Sequence, residues 1–292
     1  MTAFRGFEHV VREQQSLAPY TWFRLGGQAE YFAEPTSSDE LQQLVRHCAQ
    51  HDLPVRLLGG GSRILVPDTG VKGLVIHLGA PAFGEITVQG SSIRAGGGAK
   101  LGLLVSTSVR EGLGGIESLV GIPGTVAGAL RGNASSSGAS IGQWTSAATV
   151  MTRQGEILVR RRDQLRFSSG ESSLDETVLL DATLELEPAD VTELTRRMQK
   201  AWILKRTSQP SGALGTGRIF KDPQGVDAAE LIENAGLRGH QIGSARIADS
   251  SANFIEVQAG ATSDDVKQLI RLAQERVAGA LGVHLECELE IW

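Results

Sequence analysis

The chain has 292 residues, 41% hydrophobic and 21% charged, a composition that suits a soluble protein of two or three cored units and excludes a disordered one. Its formal charge of −5 argues against nucleic acid as the main partner, which would want a basic face. Two cysteines, Cys48 and Cys287, in no CxxC arrangement exclude a disulfide framework and a cysteine zinc site.

Met1 to Gln15 carries Arg5, Glu8, Arg12 and Glu13 without an apolar core, so no secretory signal is expected and the protein is placed in the cytoplasm. From Ser38 to His51, Leu41, Leu44, Val45 and Cys48 recur at helical spacing behind a Ser38/Asp39 start signal, which predicts an amphipathic helix. His47 and His51, at i and i+4 on that helix or its end, read as surface residues rather than metal ligands. The apolar run Val55 to Leu58 predicts a strand, and Gly59-Gly60-Gly61-Ser62 follows it directly. Consecutive glycines let several amide N–H groups converge on an anion with no side chain between them, and Ser62 adds a hydroxyl donor.

Short strands are predicted at Ile64 to Val66, Leu74 to Leu78, Ile86 to Val88 and Ile93 to Ala95. Leu101, Leu104, Val105, Ser108 and Val109 mark a second helix that ends at Gly112. A second glycine-dense segment follows, Gly121-Ile122-Pro123-Gly124-Thr125-Val126-Ala127-Gly128, in which a rigid proline between glycines suits a main chain passing close to a flat or charged ligand. Paired in one chain, the two segments point to a phosphate-bearing cofactor. The stretch Gly112 to Leu130 is interrupted by Glu117 and Pro123 and makes a poor membrane span, so no membrane partner is expected. Further strands are predicted at Thr149 to Thr152, Ile157 to Arg160 and Val178 to Leu186, with Arg160-Arg161-Arg162 read as a solvated turn countered by Asp163 and Glu156.

Beyond Pro188 the pattern turns helical. Val191, Leu194, Met198 and Trp202 line one side of a helix, Ala228, Leu231 and Ile232 begin another, and Ser263 is read as the cap of a third with Asp264 and Asp265 in its first turn. The whole reads as α+β, divided as a first lobe over 1–78, a second lobe over 79–188 and a C-terminal domain over 189–292. In the last segment Leu285, Cys287, Leu289 and Ile291 alternate with His284, Glu286, Glu288 and Glu290, so a strand there sets carboxylates on one face: either a solvated face or a carboxylate aimed at a cofactor. Gly215-Thr216-Gly217-Arg218-Ile219-Phe220-Lys221-Asp222-Pro223 is a strand-like run closing in a turn.

These segments, with Thr21 to Gly27, Asn133-Ala134, Leu231-Ile232, Ala235 to Gly239 and Asn253-Phe254-Ile255, resemble in order and spacing the UDP-N-acetylenolpyruvoylglucosamine reductase family. The resemblance covers nearly the whole chain. It implies a two-lobed FAD-binding domain of the vanillyl-alcohol-oxidase type, a C-terminal α+β substrate domain, FAD as cofactor and NADPH as hydride donor. It also implies a UDP-sugar substrate, a role in making the peptidoglycan precursor UDP-N-acetylmuramate, and a monomer. Gly59, Gly60, Gly61, Ser62, Arg63, Gly121, Ile122, Pro123, Gly124, Thr125 and Gly128 are then the expected cofactor contacts. Asn133, Arg206, Lys221 and Asp222 are the expected substrate contacts, and Glu288 and Arg218 the catalytic pair.

Several motif positions depart from the family. The proton-donating serine falls on Arg218, the Tyr-Arg pair on Ser169-Gly170, and two asparagines on Asp222 and Arg63. A guanidinium with a pKa above about 12 is a poor proton donor at neutral pH, but it can supply the positive charge lost at Gly170. Three functions therefore stay open at this level: the reductase, a flavin-binding relative without the reaction, and a flavin oxidoreductase for another substrate.

Overall fold

The computed structural model describes residues 3–210, 213–223 and 226–292. The chain forms two compact units that interleave along the sequence: unit 1 comprises Met1–Gln14, Glu30–Gly60 and Lys72–Leu204, and unit 2 comprises Gln15–Ala29, Gly61–Val71 and Lys205–Trp292. Segments 15–29 and 61–71 thus belong with the C-terminal residues, an assignment that chain order alone has no means of making.

Unit 1 contains two cores. The first lies under a four-stranded sheet in the order Val11–Ser16, Gln28–Ala33, Val71–His77, Val55–Leu58, of which the last two run parallel. The helix Ser38–Gln50 packs into this core through Leu41, Leu44, Val45 and Cys48, the four positions its spacing predicts. Each fully buried leucine there contributes about 1.5–3 kcal/mol. Its cap is Ser37, whose side chain accepts from Glu40 N at 3.3 Å, one residue before the expected start. His47 is half-buried rather than superficial, because its ring meets Phe4 and Phe7 and its Nε2 lies 2.6 Å from Ala3 O.

The second core lies against a five-stranded antiparallel sheet in the order Ile157–Arg161, Thr145–Met151, Val178–Glu185, Ser92–Gly96, Ile86–Gln89. The helices Leu101–Arg110 and Val126–Arg131 contribute Leu101, Leu104, Val105, Val126 and Leu130 to it. Arg160 and Arg161 close a strand instead of forming a turn, and Arg160 Nε sits 2.6 Å from Glu176 Oε1, a partner sixteen positions downstream. In the helix Val191–Ser208, Leu194 is buried and Met198 packs on this core. Trp202, expected on the same side, is 45% exposed because the buried side of the helix ends before it.

Unit 2 is built on a four-stranded antiparallel sheet, Gly215–Arg218, Phe254–Val257, Ala245–Ile247, Gln241–Ile242, with the helices Ala228–Asn234 and Ser263–Leu281 packed through Leu231, Ile232, Val266, Leu269 and Ala273. The long helix is capped by Thr262 rather than by Ser263: Thr262 Oγ1 accepts from Asp265 N at 3.1 Å and Asp265 Oδ2 accepts from Thr262 N at 3.0 Å. Ser263 is instead tied to Asp68, to which its N and Oγ donate at 2.9 and 2.8 Å. A distant carboxylate captures the residue that local sequence marks as a cap.

Candidate active site

In unit 1 the two glycine segments abut. A Cβ on Gly60 would lie 2.6 Å from Gly124 Cα, and one on Gly59 would lie 2.7 Å from Thr125 Oγ1, so only glycines let the bends come this close. The second bend is clamped from below: Leu101 N donates to Gly124 O at 3.1 Å, Val126 N to Ala99 O at 2.8 Å and Ala127 N to Gly97 O at 3.0 Å. Thr125 caps the helix Val126–Arg131, its hydroxyl accepting from Gly128 N at 3.3 Å. The amides of Gly59, Gly60, Gly121 and Gly124 donate to no acceptor among the described residues. Main-chain donors left over on adjoining bends are the donor set a phosphate-bearing cofactor needs.

The sequence reading missed a third glycine run beneath this cradle, Gly96-Gly97-Gly98. A Cβ on Gly97 would lie 2.1 Å from Leu179 O, so the run marks a close backbone crossing. Its signal was available as three consecutive glycines just before a helix.

Asn133 is 7% exposed and its amide is engaged at both ends within unit 1: Nδ2 donates to Ser168 O at 2.8 Å and Oδ1 accepts from Gly142 N at 3.1 Å. It therefore anchors the hairpin Phe167–Ser168/Glu171–Ser172, whose tip carries Ser169 and Gly170. Gly170 has a φ of +73°, a conformation that an arginine there adopts only with strain.

In unit 2 the chain leaves the cradle. Gly61 O accepts from Trp22 N at 2.9 Å, and Arg63 turns its side chain to the C-terminal segment, Nε donating to Glu288 O at 2.5 Å. Arg218 ends the strand Gly215–Arg218, with Nη2 2.7 Å from Asp222 Oδ2 and Nη1 3.5 Å from Glu288 Oε2. Asp222 Oδ1 also accepts from Ala228 N at 3.1 Å. Lys221 is ion-paired with Glu286. Arg63 Nε lies 3.9 Å from Glu288 Oε1, so the Glu288 carboxylate stands between two guanidinium groups. Its Oε2 is buried and accepts no hydrogen bond.

Burial works against charge on Arg218, but the Glu288 and Asp222 carboxylates outweigh it and hold the guanidinium pKa above the usual arginine value. Arg218 is thus a fixed positive charge. Arg206 lies exposed on the last turn of the helix Val191–Ser208, apart from this cluster in sequence. The terminal segment is not the regular strand its alternation suggests. Cys287 bridges Phe220, the chain bends at Leu289, and only Glu290–Ile291 forms a strand, parallel to Ile64–Leu65. Glu286 and Glu290 are exposed while Glu288 is part-buried, so the three carboxylates meet different surroundings. Among the described residues no cluster of His, Cys, Asp and Glu is arranged to hold a metal ion, and no helix is long and apolar enough to cross a membrane.

An FAD-binding domain model matches residues 29–160, and a model of the UDP-N-acetylenolpyruvoylglucosamine reductase C-terminal domain matches residues 209–292. A UDP-N-acetylenolpyruvoylglucosamine reductase of Rhodopirellula baltica is 39% identical over 284 residues, 97% of this chain and 93% of that protein. Its counterpart from Listeria innocua is 35% identical over 98% of this chain and 96% of that protein. The crystal structure of the reductase from Thermus caldophilus superposes with a TM-score of 0.83 at 32% identity, covering 97% of this chain and 99% of that one.

Proposed function

The chain belongs to the UDP-N-acetylenolpyruvoylglucosamine reductase family, and from that membership we propose that it reduces the enolpyruvyl group of UDP-N-acetylglucosamine enolpyruvate to give UDP-N-acetylmuramate. The product is a peptidoglycan precursor, and the enzyme acts as a cytoplasmic monomer. NADPH is the hydride source. The chemistry FAD supplies when bound is hydride transfer from NADPH to C3 of the enolpyruvyl group.

The paired bends at Gly59-Gly60 and Gly121 to Thr125, with Gly128, would hold the cofactor's diphosphate through main-chain amides. In unit 2, Arg218 carries the positive charge that stabilises the developing enolate, a role the family gives to the arginine that falls on Gly170. Arg218 keeps its protons, so the proton for C2 comes from elsewhere. Glu288 Oε2 is the buried oxygen of the cluster that accepts no hydrogen bond, and the ionised carboxylate is assigned to relay that proton from water. This oxygen, 3.5 Å from Arg218 Nη1 and accepting no hydrogen bond, is the observation on which the reading rests. Lys221 and Asp222 brace the cluster through Glu286 and Arg218.

A visible spectrum of the purified protein followed by anaerobic NADPH and then the enolpyruvyl substrate tests the proposal. Bleaching and reoxidation support it. Bleaching with no reoxidation points to another acceptor and counts against the substrate assignment. Gly170 lacks a side chain and Arg218 lacks a hydroxyl, which favours as second reading a flavin-binding relative without the reaction. A yellow protein that NADPH does not bleach would favour that reading.

A further inference from the structure

At Glu288 the C-terminal segment changes partner. Before it, Lys221 N donates to Glu286 O at 3.0 Å and Glu288 N donates to Ile219 O at 2.7 Å. After it, Glu290 N donates to Arg63 O at 2.9 Å and Trp292 N to Leu65 O at 3.1 Å. The carbonyl of Glu288 falls at the handover. Its donor is a side chain, Arg63 Nε, at 2.5 Å.

Resting on the reading of Glu288 as a catalytic residue, we propose that Arg63 is its positioning residue, fixing the Glu288 carbonyl and thereby the direction of the carboxylate. The geometry closes a ring: Arg63 O holds Glu290 from one side of Glu288 while Arg63 Nε holds Glu288 itself. With its amide on Ile219 and its carbonyl on Arg63, the Glu288 backbone is held at both ends, and Leu289 beyond it is 6% exposed. The guanidinium also stands 3.9 Å from Oε1, so both ends of the carboxylate face a cation. A guanidinium on a long stem spans this gap with a charge-assisted bond, whereas the asparagine that the family resemblance implies here has a shorter reach and no charge. The expected cofactor contact thus becomes a latch for the substrate domain's last segment.

Arg63→Lys, Arg63→Asn and Arg63→Ala, each as the flavin-loaded enzyme, test this in two arms. Amide hydrogen exchange over 285–292 is expected to quicken about 10-fold or more in Arg63→Ala and Arg63→Asn and less in Arg63→Lys. Unchanged exchange in all three variants would overturn the proposal, whether or not the protein turns over the enolpyruvyl substrate. In the second arm, Arg63→Asn is expected to slow anaerobic reoxidation by the substrate about 100-fold in the wild-type background and no further in Glu288→Gln. Equal slowing in both backgrounds would show that Arg63 does not act through Glu288. Exchange that quickens while wild-type protein reduces no substrate would sustain the latch and overturn the reductase reading alone.

Discussion

Arg218 holds its Nη1 3.5 Å from Glu288 Oε2, a buried oxygen that accepts no hydrogen bond, while its Nη2 is anchored 2.7 Å from Asp222. The anchor orients the guanidinium. In the proposed reaction its charge would then serve a developing anion without reorganisation.

Arg218→Ala is accordingly expected to lower kcat about 10²- to 10³-fold, with the KM for NADPH unchanged. Arg218→Ser removes the same charge but restores a hydroxyl donor, so its kcat should fall between those of Arg218→Ala and wild type. Steady-state kinetics of the three proteins check both statements: an alanine variant as fast as wild type would mean that the guanidinium contributes nothing, and a serine variant faster than wild type would mean that a hydroxyl donor outweighs the charge it replaces.

The cradle makes a separate prediction about cofactor retention. In Gly60→Ala the added methyl meets Gly124 Cα at 2.6 Å, and the bends must part. The purified variant is expected to lose its flavin absorbance or bind FAD at least about 10-fold more weakly. Gly102→Ala is the control: its Cβ meets nothing within 4 Å, and it should keep its flavin and gain up to about 1 kcal/mol from helix propensity. Flavin content by absorbance and Tm by calorimetry separate the two.

Asn253 is 2% exposed, and its side chain accepts from Phe220 N and donates to Phe220 O, each at 2.9 Å. Asn253→Ala leaves both backbone groups buried and unpaired, at a cost of about 1–3 kcal/mol each. Denaturant unfolding should show that loss. The turn carrying Lys221 and Asp222 loosens with it, so activity should fall more than the folded fraction does.

Burial alone pushes the Cys48 thiol up to about 12, and it also raises Cys287. Thiolate is therefore scarce in the native protein near pH 8. Iodoacetamide at that pH should leave Cys48 unlabelled until denaturant is added, as mass spectrometry of the peptides would show; rapid native labelling would contradict the packing of the helix Ser38–Gln50.

Features set by local spacing were legible in the sequence. The helix Ser38–Gln50 buries the four residues its period marks, because one face of that helix meets a single core. The pairing of the two glycine segments was also readable from composition. Features set by distant partners were not. Nothing near Ser263 announces Asp68, and nothing near Arg63 announces a carbonyl 225 residues away. The terminal alternation from Leu285 suggested one continuous strand, yet the segment switches from Ile219 and Lys221 to Arg63 and Leu65 and bends at Leu289. The strands Gln241–Ile242 and Ala245–Ile247 escaped notice because they are too short to show a period.

Rapid-mixing spectroscopy of wild type and Glu288→Gln, under anaerobic conditions, puts the assignment of Glu288 to the test. Flavin reduction by NADPH should proceed at the same rate in both proteins, while reoxidation by UDP-N-acetylglucosamine enolpyruvate should slow about 10²- to 10⁴-fold in the variant. Reoxidation at equal rates in the two proteins would contradict the relay of the proton through Glu288.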